Sequence, residues 1–191
     1  MRSEIRGESL LLRPYRKEDG EALFEGAYES SQNADFRRWM PWCHPGYSRL
    51  NSDTFINHCL KVREKAEEFN FGVFDAANGT FLGGVGLSQF NAAHCFFNLG
   101  YWVRPSFQNR GIAAQAARLL AQASFADLHP NRLEIVVAVA NLASQRVAQK
   151  VGATREGVLR KRLVIAGEVH HAVLFSLVAE DVDARGASQD G

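Results

Sequence analysis

Residues 101–114 read YWVRPSFQNRGIAA. An apolar, strand-like run, Asn98 to Val103, stops at Pro105. A short polar loop follows, and a helical pattern begins at Gly111 and runs to Leu128, with Ile112, Ala116, Leu119, Leu120, Ala123 and Leu128 on its apolar side. The first turn of a helix has unpaired N–H groups and the positive end of the macrodipole, a setting that suits phosphate. Gly111 and Ala113 within Gln108-x-x-Gly111-x-Ala113 let the chain come close to a ligand, and Arg110 adds positive charge. The plainer alternative is that Gly111 only starts a helix that packs closely on a sheet.

Working outward, Leu133 to Ala140 (LEIVVAVA) is almost wholly apolar and reads as a central strand buried on both faces. Ala143 to Val151 reads as a short helix closed by Gly152. Strands at about 157–165 and 169–178 flank Ala166-Gly167. Upstream, Glu8 to Tyr15 reads as a first strand and Asp19 opens a helical spacing. Ser48 or Ser52 caps a second helix that carries Phe55, Ile56, Cys59, Leu60 and Arg63 on one side. Phe69 to Asp75 and Thr80 to Phe90 read as strands joined by Ala-Ala-Asn-Gly at 76–79, where Asn78-Gly79 is the strongest hairpin signal in the chain because such turns need positive φ. The strand–helix–strand unit over 98–140 implies a parallel pair, and the hairpins on either side make the sheet mixed. The fold class is α+β, one domain over residues 1–179, with a polar tail at 180–191 expected to fray.

The 191 residues are 46% hydrophobic and 23% charged, a globular mix. Lys plus Arg number 22 and Asp plus Glu 21, and the net charge of +1 removes the bulk electrostatic case for a nucleic-acid binder. No apolar run approaches the ~20 residues that span a bilayer, and MRSEIRGES at the start has no apolar signal core. Cys43, Cys59 and Cys95 form no C-x-x-C pair, so neither a metal knuckle nor a redox motif is indicated, and reduced thiols in the cytoplasm are the expectation.

Beyond the buried strand stand Asn141-x-x-Ser144 and Lys150-Val151-Gly152. With the 108–113 loop, these make the chain resemble the GNAT superfamily of N-acetyltransferases over roughly residues 8–178. It looks most like the ribosomal-protein N-terminal acetyltransferase (RimJ/RimL-type) subgroup, through LLRPYRKED at 11–19, RRWMPWCHPGYS at 37–48, GYWVRPSFQNRGIA at 100–113 and NLASQRVAQKVGA at 141–153. The resemblance implies a GNAT-like sheet with a splayed parallel pair and acetyl-CoA as acyl donor, with no metal. It implies a pyrophosphate on the backbone of about 109–114 and a pantetheine arm beside the strand ending at Val103. The implied cofactor contacts are Trp102, Val103, Gln108, Asn109, Arg110, Gly111, Ile112, Ala113, Ala114 and Asn141. A homodimer is an expectation of the family only.

Two departures bear on mechanism. Where some GNAT enzymes place a glutamate, five residues before the Asn, this chain has Val136, and the nearest strand carboxylate is Glu134. Where many place a later Tyr, this chain has Ala148, and the subgroup's Ser is Ser144. Ser144 is therefore a candidate proton donor to the departing thiolate, or an ordinary helix-start serine. Asn141 is a CoA contact or a helix cap, and Glu134 a base or a salt-bridged strand residue. A backbone N–H near Val103 suits the developing oxyanion. The segment Phe36 to Tyr47, with Trp39, Trp42 and Tyr47, is a lid over the acceptor groove or a core plug. An α-amine titrates near ~8 and a Lys amine near ~10.4, so a protein N-terminus asks less of a base. The leading reading is an N-acetyltransferase acting on a protein α-amine, with no nucleic-acid or membrane partner. The rivals are a small-amine acyltransferase (a polyamine or an antibiotic, or a longer acyl donor such as succinyl-CoA) and a non-catalytic CoA-binding module.

Overall fold

The computed structural model describes residues 1–183. Eight strands form one sheet: β1 (Ile5–Arg6), β2 (Leu10–Pro14), β3 (Phe69–Asp75), β4 (Phe81–Asn91), β5 (Phe96–Val103), β6 (Arg132–Ala138), β7 (Thr154–Ile165) and β8 (Glu168–Leu177), in the order β1-β2-β3-β4-β5-β6-β8-β7. The helices are α1 (Gly20–Ser31), α2 (Ala34–Trp39), α3 (Arg49–Glu64), α4 (Ile112–Leu128), α5 (Leu142–Val151) and α6 (Ala179–Asp183). All pairings are antiparallel except β5 with β6.

Strand alternation sorts the sheet into two faces. Phe69, Phe71 and Val73 of β3, with Val85, Leu87, Phe97 and Leu99, pack on Ala116, Ala117, Leu120 and Ala121 of α4. Alanines on α4 bring the helix close to these larger strand side chains. On the other face, Phe74 and Phe81 meet Leu23 of α1 and Ile56 and Cys59 of α3.

The parallel pair joins only at Phe96–Arg132, Phe97–Leu133 and Asn98–Glu134. Beyond Asn98, β5 stays with β4 through Val103 while β6 stays with β8 through Ala138, so the sheet splits into a V. Arg104 N donates to Leu82 O (2.9 Å) across the β4 side. By alternation, the N–H groups of Tyr101 and Val103 then point into the gap.

Several sequence expectations change here. β6 is not buried on both faces: Leu133, Ile135 and Val137 are buried, whereas Glu134 and Val136 are only half-buried, because the helices on that face, α1 and α3, pack over β3 and β4 rather than over β6. The hairpin at Asn78-Gly79 forms, its loop running one residue past the expected 76–79, to Thr80. Gly79 has φ +75, Asn78 is not left-handed, and the Asp75 side chain accepts from the N–H groups of Ala77 (2.9 Å) and Asn78 (3.1 Å). Ala166-Gly167, flanked by strands as expected, is a two-residue turn with both central residues at positive φ, +49° and +84°. Between α1 and α3 a further helix, α2, forms with Asn33 as its cap, Asn33 Oδ1 accepting from Phe36 N at 2.9 Å. Ser48, rather than Ser52, precedes α3. Residues 180–183, expected to fray, belong to α6, where Val182 is buried against the α4 side of the core. The remainder of the expected tail lies outside the described residues. No helix among the described residues is long and apolar enough to cross a membrane.

Candidate active site

Two cavities meet at the mouth of the V. The smaller, about 420 Å³, runs along the end of β5, the loop after it and the facing side of α5. The loop is fixed from behind. Glu29 of α1 accepts from Ser106 N (2.6 Å) and from Arg104 Nε (2.9 Å). Burial alone would raise the Glu29 pKa, but the Ser106 N–H and the Arg104 guanidinium outweigh it and hold the carboxyl below its usual value. Gln108 Nε2 donates to Val103 O (3.3 Å), tying the loop to the strand end.

Gly111 is the N-cap of α4 at φ +79, and a Cβ placed on it would meet nothing within 4 Å. Both facts matter: only glycine adopts that conformation without strain, and the space in front of the helix start is open. The first-turn N–H groups of Ile112, Ala113 and Ala114 have no intrahelical acceptor and line this space. Trp102, Val103, Gln108, Asn109, Gly111, Ile112, Ala113, Ala114 and Asn141 all stand on the cavity wall. Arg110 does not. Its guanidinium donates to Ser106 O (3.1 Å) and lies 5.2 Å from the centre of the Phe107 ring, so it braces the loop. Arg146 and Lys150, one turn apart on α5, add two cations to the wall. The sequence signal for them was their i,i+4 spacing on a helix facing the loop. An open phosphate-sized helix start, a strand edge with unpaired N–H groups and two facing cations fit a CoA diphosphate and its pantetheine arm.

The larger cavity, about 1010 Å³, lies on the α1/α3 face of the sheet. Its floor is Gly84, Gly86 and Gly100, and a Cβ on Gly100 would meet nothing within 4 Å. Leu163 and Ile165 of β7 stand on one side and Phe55 of α3 on the other. The segment 36–47 beside it is part buried and part cavity wall. Phe36, Cys43 and Tyr47 are buried, while Trp39, Met40 and Trp42 line cavity walls. Tyr47 also reaches the cavity, and its hydroxyl pairs with Ser52 Oγ (3.1 Å). Trp42 and Phe36 pack edge-on against Trp102, at 5.2 Å and 6.1 Å between ring centres, and Trp39 meets His170 of β8 at 6.2 Å. The segment is thus anchored on both arms of the V.

Trp39, Met40, Tyr101, Trp102, Asn141 and Ser144 line both cavities, and so mark where they join. Asn141 caps α5, its Oδ1 accepting from Ser144 N (3.1 Å). The serine hydroxyl is consequently not the cap. Ser144 Oγ instead pairs with the Tyr101 hydroxyl (3.1 Å), which also donates to Ser144 O (3.0 Å). Burial pushes the Tyr101 phenol up to about 12, the Ser144 hydrogen bond opposing it, so the phenol stays neutral and a donor at physiological pH. Tyr101 was missed from the sequence because nothing local joins positions 43 residues apart. Glu134 lies away from the cavities. It pairs with Arg132 (3.3 Å), which in turn pairs with Glu156 (2.7 Å), so it is a salt-bridged strand residue. Val136 lines the larger cavity, which leaves that wall apolar.

The sequence profile of the acetyltransferase (GNAT) domain matches residues 9–154. The chain belongs to the GNAT N-acetyltransferase family. YjcK of Bacillus subtilis, provisionally named an N-acetyltransferase, is 30% identical over 189 residues, covering 93% of this chain and 98% of YjcK. A solved structure from Vibrio cholerae, provisionally named a ribosomal-protein-serine acetyltransferase, is 30% identical with a TM-score of 0.78, covering 92% of this chain and 97% of that one. The microcin C7 self-immunity acetyltransferase MccE, solved with acetyl-CoA and AMP, shares the fold: TM-score 0.82 at 22% identity, covering 90% and 93% of the two chains. The chain is an enzyme, an N-acetyltransferase.

Proposed function

We propose that the enzyme acetylates the α-amino group of a protein, such as a ribosomal protein, in the cytoplasm. The observation that carries this reading is the chemistry of the junction: a hydroxyl pair, Ser144 and Tyr101, beside an apolar wall at Val136, with no carboxylate next to that wall among the described residues. Such a junction suits an amine that is already partly neutral, and an α-amine near ~8 is far more so at neutral pH than a Lys amine near ~10.4. The name borne by the Vibrio cholerae structure agrees with a ribosomal-protein acceptor.

Acetyl-CoA supplies the activated thioester. The smaller cavity holds the donor, and the Val103 N–H, aimed into the V, stands ready for the oxyanion that develops on the carbonyl. The amine nitrogen bonds to the carbonyl carbon, the C–S bond breaks, and the proton shed by nitrogen ends on sulfur. Ser144, held by Tyr101, hydrogen-bonds the sulfur as its charge develops. The cover formed by Trp39 and Trp42 keeps water from the thioester.

The test is mass spectrometry of two peptides offered with acetyl-CoA, one with a free N-terminus and no Lys, the other N-terminally blocked with an internal Lys. Acetylation of the first, faster than the second, is expected at pH 7. Acetylation of the Lys alone overturns the α-amine reading.

A further inference from the structure

The chemistry above uses the open end of the V and leaves the polar closed end of the larger cavity without a role. There His58 of α3, Glu68 just before β3, Asn70 of β3, Ser88 of β4 and Asn98 of β5 all stand on the lining of a cleft whose walls are mostly aromatic and aliphatic. Glu68 is the one carboxylate among the described residues on that lining. Asn70 Nδ2 donates to Glu68 Oε2 (3.1 Å), and His58 Nε2 stands 3.7 Å from the same oxygen. The backbone makes room for this arrangement. A Cβ on Gly86 would meet Asn70 Oδ1 at 2.5 Å, so a glycine is what lets the Asn70 amide fold over the floor and hold the carboxylate.

The register fixes how far this end is from the reacting centre. Asn70, Gly86 and Gly100 lie in one row across β3, β4 and β5, and Ser88 pairs with Asn98 in the next row on the same face, towards the closed end. Two interstrand steps of ~4.8 Å and one two-residue step of ~6.7 Å put Glu68 about 12 Å from Gly100, Cα to Cα. Its side chain shortens the gap to an acceptor lying over the glycine floor. A carboxylate at that range is too far from the thioester to take the proton of the attacking nitrogen directly. It is well placed to hold a second positive charge on the same acceptor.

We propose that Glu68, oriented by Asn70, is a specificity-determining residue that selects acceptors carrying a second cation set back from the acetylated nitrogen by about the length of this cleft. Resting on the α-amine reading, the substrate class becomes protein N-termini with Lys or Arg at the second or third residue. An ammonium or guanidinium entering an aromatic and aliphatic cleft needs a counter-charge, and Glu68 supplies it. The polar groups of Ser88 and Asn98 add acceptors for its remaining protons.

The experiment measures kcat/KM for two matched pairs of acceptors: the peptides Ser-Lys-Ala-Ala and Ser-norleucine-Ala-Ala, and the small amines 1,8-diaminooctane and octylamine. The wild-type enzyme is expected to favour the cationic member of a pair by at least tenfold. In Glu68→Gln, shown folded by circular dichroism, that preference falls to about threefold or less. In Glu68→Lys it inverts towards Ser-Glu-Ala-Ala. Peptides acetylated with equal efficiency whatever the second residue, or a preference unchanged in Glu68→Gln, overturn the assignment while leaving the α-amine reading intact. If the peptides are inert while the diamine is preferred and the preference vanishes in Glu68→Gln, the α-amine reading falls and the cation site stands.

Discussion

Replacing Ser144 by Ala separates chemistry from architecture, because the structure assigns the cap of α5 to Asn141. The substitution deletes one hydrogen bond, the 3.1 Å contact between Ser144 Oγ and the Tyr101 hydroxyl. It leaves the phenol its second partner, Ser144 O at 3.0 Å, so no buried donor is orphaned. A neutral hydrogen bond is worth about 1 kcal/mol net, and Ala exceeds Ser in helix propensity by about 0.5 kcal/mol, so the net loss of stability is below about 1 kcal/mol. For a chain of this size that is a fall in Tm of no more than about 2–4 °C. An interaction that strengthens as charge grows on sulfur acts in the transition state, so kcat should fall by about 10²-fold while CoA affinity changes by less than about threefold. Tyr101→Phe removes the group that positions the serine and should lower kcat by a smaller factor. The double variant should be little worse than Ser144→Ala, because the two act as a unit. Stopped-time thiol release, calorimetric titration with CoA and thermal melts on the same three proteins read all of this. A Ser144→Ala enzyme with wild-type kcat refutes the proton-donor role, and strictly additive losses refute the unit.

Gly111→Ala puts a side chain into a φ of +79° at the open helix start; it should cost about 1–2 kcal/mol of stability and weaken CoA binding at least tenfold, read by calorimetry, and unchanged CoA affinity in the folded variant would remove the phosphate from this site. Asp127 accepts from Arg2 N (2.7 Å), and the Arg2 guanidinium, opposed by burial, holds its carboxyl down to about 2. A depressed carboxylate contributes stability above its unfolded pKa of ~3.9 and loses it as pH falls through the folded value. The advantage of wild type over Asp127→Asn in urea melts should therefore be full above pH about 5 and gone near pH 2. An advantage independent of pH would place the contribution elsewhere.

What could be read from the sequence was what local chemistry decides. Pro105 ends β5, a glycine at positive φ starts α4, and Gly152 at φ +104 closes α5, so the donor loop and its flanking elements were visible in a single window. The same logic placed both turns, at 76–79 and at Ala166-Gly167, but not their conformations. Asn78-Gly79 carries the stronger hairpin signature, yet Asp75, three residues earlier, captures two N–H groups and draws the loop out. Ala166-Gly167 has a weaker signature, yet long pairing of β7 with β8 holds Ala166 left-handed. α2 was hidden because its six residues are too few to show a period and its cap, Asn33, lies before the aromatic stretch.

The acceptor site was least legible, and the reason is the split between β5 and β6. Where the strands separate, alternation no longer tells which face is covered: Val136 belongs to a run that looks buried on both sides, yet it faces a cavity. Glu134, the only carboxylate on that strand, sits before the split and is paired there with Arg132, which also holds Glu156. Tyr101 and Ser144 meet only because β5 swings away from β6 and opens room for α5 to approach it. Glu68 reaches the cleft only because glycines at 86 and 100 leave the floor bare. Each of these groups is chemically ordinary in sequence and takes its role from a gap in the sheet. The donor loop is a local motif that a residue pattern can specify, whereas the acceptor cleft is defined by missing pairing and missing side chains, which leave no pattern to read.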